Sequence, residues 1–125
     1  MALLVTFGIL QLTAGVLSGW LMVAQGDAVW TRRLRIRAAA RIRQGHIDLL
    51  MMGTLLVAIG VAVPGPQPVA EAAIACASWV GPLLFFPLAW KPELGRRRWY
   101  GVLDRLGFVA LTIGFLLLAA DVLTR

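Results

Sequence analysis

From Met1 to Ala24 the chain has no charged side chain, and its only polar members are Thr6, Gln11, Thr13 and Ser18. At about 1.5 Å per residue, that run is long enough as a helix to cross a hydrocarbon core of roughly 30 Å. A second apolar run extends from about Gly45 to Val63 and stops at PGPQP, whose prolines remove backbone donors and force a tight return. A third covers about Val69 to Trp90 and a fourth about Tyr100 to Leu123, with Lys91 to Arg98 as a short polar loop between them. No period-two alternation competes with these runs. The pattern predicts an all-α polytopic membrane protein: four transmembrane helices (about 1–24, 45–63, 69–90 and 100–123) in an antiparallel bundle, forming one integral membrane domain over residues 1–125. The opening run lacks a basic leader and exceeds a signal-peptide core, so it is read as a retained span.

Composition agrees: 60% of the 125 residues are hydrophobic and 14% charged, where a soluble domain carries about 25% charged residues. Twelve Lys and Arg against six Asp and Glu give a net charge of +6, which in a soluble chain would point to nucleic acid. Here the basic residues gather in two connections, Arg32, Arg33, Arg35, Arg37, Arg41 and Arg43 before span two, and Lys91, Arg96, Arg97 and Arg98 before span four. Positive loops stay cytoplasmic. The expected placement is therefore the cytoplasmic (inner) membrane, with segments 25–44 and 91–99 cytoplasmic and both termini and PGPQP outside. Glu71 and Asp121 then sit as solvated residues near the outer face, and Asp48, Asp104 and Arg105 near the inner one.

Gly26 can close span one and Asp27 can cap a helix begun just after it. Thr31 to Gln44 contains no glycine or proline, so it can extend span two as one long helix. Its arginines read as topology signals attracted to anionic headgroups, at about 1 kcal/mol each, or else as a site for an anionic substrate. Without interleaved aromatics for base stacking, no nucleic acid is expected. The single cysteine, Cys76, excludes a disulfide within one chain.

Gly8 and Gly15, Gly53 and Gly60, and Gly107 and Gly114 are each seven residues apart, on one helical face per pair, and Gly15 and Gly19 form a GxxxG. Small residues let helices approach closely in lipid, giving a compact bundle or an oligomer interface; alternatively they leave room for a flat cofactor. His46, the one histidine, enters span two beside Gly53 and Gly60. It reads as a hydrogen-bonded interfacial group or as a ligand, and one imidazole suffices only for a five-coordinate haem. Asp48 lies about 160° around the helix from His46, and pairing with Arg105 at similar depth would offset its cost in lipid. Trp79, Phe85 and Phe86, around Pro82, are belt anchors or the walls of an aromatic pocket beside a kink. Span one has no acidic residue, unlike the small multidrug-transporter design. No P-loop, GxSxG, HExxH or dinucleotide fingerprint occurs.

The stretch Arg43-Gln44-Gly45-His46-Ile47-Asp48-Leu49-Leu50-Met51-Met52-Gly53, opening the second of four short spans, resembles styrene-oxide isomerases and hydroxylaminobenzene mutases. Those proteins carry a histidine preceded by a basic or small residue and followed by glycine seven positions on. Ser78, Val80 and Gly81, with the aromatics and the proline-containing turn to Gly95, are similar to that family's third span. The resemblance covers about half the chain. It implies haem b on His46 with Gly53 as a groove residue, a homo-oligomer such as a trimer holding haem between subunits, and isomerase or mutase chemistry on a small apolar epoxide or arylhydroxylamine. Met52 replaces the family asparagine before the glycine, and Trp79 and Leu83 stand where the isomerase has a pocket asparagine and tyrosine. The competing expectation is a non-catalytic membrane subunit that packs against partner helices through its glycine faces.

Overall fold

The computed structural model describes residues 3–125, and every described regular element is helical. Helix α1 is Leu3–Gln25, α2 Ala28–Arg33, α3 Ala39–Ala62, α4 Pro68–Ala77, α5 Val80–Trp90 and α6 Arg98–Leu123, with a 3-10 turn over Pro92–Arg96. Four stretches are long and apolar enough to span a membrane: α1, α3, α4 with α5 (Pro68–Trp90), and α6. Their outer surface is apolar, with Trp20, Phe108 and Leu116 largely exposed, as lipid-facing helices require.

Helix α1 packs along α3, α3 along α5, and α4 along α6. The glycine pairs explain the close approaches. A Cβ on Gly8 would stand 2.8 Å from the Gly53 carbonyl oxygen, and one on Gly53 would stand 2.9 Å from that of Gly8, so α1 and α3 touch backbone to backbone. Gly60 receives Val5, Gly45 receives the Phe86 ring, Gly107 receives Val80, and Gly114 receives Ile74. Two apolar clusters close the ends of the bundle, one built on Leu4, Leu56, Ile74 and Leu118 and the other on Ile36, Ile42 and Ala89.

The third span is not continuous. It breaks at Ser78–Trp79, the turn before Pro82, because a proline ring excludes the carbonyl four residues earlier. Gly26 and Asp27 act as expected: Gly26 N–H donates to Met22 O as α1 ends, and Asp27 caps α2 through Val29 N–H at 2.8 Å. The long extension of span two does not form. Residues 34–38 leave the helix, with Arg35 at φ 57°, because this loop bonds to the end of α5. Arg37 and Ala38 N–H both donate to Ala89 O, and Trp90 Nε1–H donates to Leu34 O. Arg37 also pairs with Glu93 at 3.0 Å. The two basic connections therefore lie at one end of the bundle.

At the other end, Asp121 is no free boundary residue. Its Oδ2 accepts from Gln67 N–H at 3.1 Å and from Arg125, which also donates to Pro64 and Gly65 carbonyls. The PGPQP turn, with Gly65 at φ 59°, is thereby tied to the last helix.

Candidate functional site

The functional side chains of α3 diverge onto two faces, as the angular offset between His46 and Asp48 requires. His46 faces α1. Its Nδ1 lies 2.8 Å from Gly15 O and 2.9 Å from Ser18 Oγ, while Ser18 Oγ donates to Gly15 O at 2.7 Å. A carbonyl cannot donate, so the proton belongs to Nδ1, shared between Gly15 O and a lone pair of Ser18. Nε2 is left without a hydrogen-bond partner among the described residues. Gly19 contributes space beside the ring, since a Cβ there would sit 3.5 Å from His46 Cε1.

Asp48 points the other way, into a cavity of about 210 Å³ between α3, the broken third span and α6. Asp104, Ser78, Gly81 and Pro82 also line it, and a Cβ on Gly81 would stand 3.5 Å from Asp48 Oδ2. Behind this wall Gln11 Nε2 donates to Ser78 Oγ at 2.7 Å, and Ser78 donates to Ala75 O. Both residues are buried, and Gln11 Oε1 has no partner. The helix break lets Ser78 cap α4 while facing α1. Met52 lines this same cavity.

The expected Asp48–Arg105 ion pair is not formed. Among the described residues, ion pairs join Arg37 to Glu93 and Arg125 to Asp121. Adjacent residues on a helix lie about 100° apart, so α6 turns Asp104 to the cavity with Gly107 and turns Arg105 to an outer hollow with Arg96, Arg97 and Arg98. Gly53 borders no open groove, because Gly8 and Leu12 occupy the space its side chain would take. Trp79, Phe85 and Phe86 are not walls of the cavity. Phe86 is packed on Gly45, and Trp79 Nε1 is buried without a partner. The structure thus brings Asp104, Ser78 and Gln11 to the intramembrane polar zone, none of which stood out as site residues in the sequence. The legible signal was position: Asp104 precedes Gly107 by three residues, on the face that packs against α5.

Outside the spans, Glu93 is the group with an altered acidity. A hydrogen bond from its own backbone, joined by the Arg37 guanidinium, holds its carboxyl below the usual range against some desolvation. This stabilises the clamp between the two basic connections rather than a reactive centre. Among the described residues no three His, Cys, Asp or Glu side chains cluster as a metal cage, which leaves His46 as a single imidazole donor. Compared with family models, curated proteins and solved structures, the chain matches none.

Proposed function

We propose that this chain is a haem-binding membrane protein of the isomerase or mutase type, acting on a small apolar epoxide or arylhydroxylamine that enters from the bilayer. One observation carries the reading: Nδ1 of the only histidine is committed to Gly15 O and Ser18 Oγ, leaving Nε2 as a free donor atom. Ligating histidines characteristically give their other ring N–H to a carbonyl, which fixes the tautomer and raises the basicity of the donor nitrogen. His46 would hold haem b, Gly15 and Ser18 would orient the ring, and the absent side chain at Gly19 would leave its edge open. Bound haem supplies Lewis-acid polarisation of a substrate oxygen. Asp48 and Asp104 face away from His46 within one chain, so they are assigned no part in holding haem. A trimer sharing haem between copies belongs to the same proposal.

An absorption spectrum of the full chain, purified in mild detergent from haem-replete cells, tests it beside His46→Ala and Ser18→Ala. The expected result is a near-stoichiometric Soret band, lost in His46→Ala and shifted or weakened in Ser18→Ala. Epoxides and arylhydroxylamines are then screened for isomerisation. No Soret band in any of the proteins after haem reconstitution refutes the reading and leaves the non-catalytic subunit, in which His46 only ties α3 to α1.

A further inference from the structure

The geometry points to a bound anionic phospholipid at the start of α6, its phosphate seated on Arg96, Arg97, Arg98 and Arg105 and an acyl chain laid along Trp99, Val102 and Leu103. Together with Gly95, Gly101 and Val102, these four arginines line a hollow of about 330 Å³. None of them is in an ion pair among the described residues. The nearby carboxylates are directed elsewhere, Glu93 to Arg37 and Asp104 to the intramembrane cavity. No side chain caps the first turn of α6, so the positive end of a 26-residue helix adds to the same field. Arginine binds phosphate oxygens through paired N–H groups, and four arginines without a carboxylate partner lining one hollow favour an anion there.

A second surface identifies the source of that anion. Arg97, Arg98 and Val102 are shared with an apolar trough completed by Trp99 and Leu103, with Trp99 55% exposed. A soluble phosphate has no use for the trough, whereas a leaflet lipid fills hollow and trough together. Gly101 lines the hollow, and a Cβ there would meet nothing within 4 Å. A larger side chain at 101 therefore fits the fold but occupies the headgroup's place. This inference is independent of haem binding at His46.

The test counts lipid retained by the full-length protein in native mass spectrometry after titration with phosphatidylglycerol or phosphatidylcholine. Retention of phosphatidylglycerol should exceed that of phosphatidylcholine by about tenfold or more. Gly101→Leu should remove most of this preference without lowering the melting temperature, and Arg97→Gln/Arg98→Gln should do the same. Arg32→Gln/Arg33→Gln, which removes equal charge at the same end, should leave it intact. If Gly101→Leu does not fold, Arg105→Gln supplies the reading. Equal losses from the two double variants with Gly101→Leu silent would overturn the site in favour of diffuse attraction. Displacement of phosphatidylglycerol by millimolar inorganic phosphate would overturn the lipid as occupant.

Discussion

Gly53→Ala adds one methyl group where α1 and α3 meet backbone to backbone. Its Cβ would lie 2.9 Å from Gly8 O, Leu12 Cγ and Leu12 N, and two of those three atoms are backbone, which cannot rotate aside. Restoring ordinary contact near 3.5 Å requires α1 and α3 to part by about 0.6 Å along their length, since packed helices move as units. Overpacking of this kind costs about 1–3 kcal/mol, and the better helix propensity of alanine returns about 1 kcal/mol. The expected net loss is up to about 2 kcal/mol, toward the upper end because the clashing atoms are backbone, measured as a lower denaturant midpoint in mild detergent. Gly8→Ala should behave alike, and the double variant should cost less than the sum, because one separation relieves both clashes. Gly101→Ala, with open space around it, should be neutral or stabilising. If Gly53→Ala and Gly101→Ala unfold at the same midpoint, the backbone contact between α1 and α3 is not what holds them together.

Side chains that bridge elements, and one strained loop residue, supply three further tests. Ser78→Ala strands Gln11 in the membrane interior and should cost about 1–2 kcal/mol, whereas Gln11→Leu/Ser78→Ala should recover much of that loss in the same detergent melt. Glu93 is acidified in the fold, so its contribution is present above the ordinary carboxyl value of 4.5 and is lost as pH falls through the lower folded value. Melting at pH 7 and pH 3 should therefore differ more in the wild type than in Glu93→Gln, and an unchanged difference would refute the clamp. Arg35 occupies the left-handed region at φ 57°, so Arg35→Val should lose about 1–2 kcal/mol while Arg35→Gly loses none, as read from thermal unfolding.

The spans were legible because length and hydrophobicity alone decide what can cross a membrane, and the prolines marked both the return turn and the neighbourhood of the break at Ser78. The loop after α2 was not legible. Nothing between Thr31 and Gln44 opposes a helix locally, and what ends it is the Ala89 carbonyl and the Trp90 indole, more than fifty residues away. Depth along a helix was readable but azimuth was not. Asp48 and Arg105 share a depth in the sequence pattern, yet α6 presents Asp104, not Arg105, to the cavity. His46 stood out by its rarity, but the acceptors that set its tautomer come from α1 and only the fold assembles them.

Helix register in this bundle needs an explanation that the glycines cannot give. In the native antiparallel pair Gly8 meets Gly53, while Gly15 meets Leu50 and Gly60 meets Val5. Sliding α1 by seven residues, about 10 Å, would set Gly15 on Gly53 and Gly8 on Gly60, a register with more glycine contact than the native one. Lipid replaces lost contact between the helices with equally apolar contact, so what opposes the slip is the roughly two turns of α1 that would leave the hydrocarbon core, together with the polar side chains. In the slipped register His46 loses both Gly15 O and Ser18 Oγ, and Gln11 moves away from Ser78, leaving buried polar atoms unpaired at about 1–3 kcal/mol each. The glycines therefore set how closely α1 and α3 approach, and Gln11, Ser18, His46 and Ser78 set where along their length they meet. Free Nε2 of His46 is a by-product of that choice, positioned by the same bonds that select the fold.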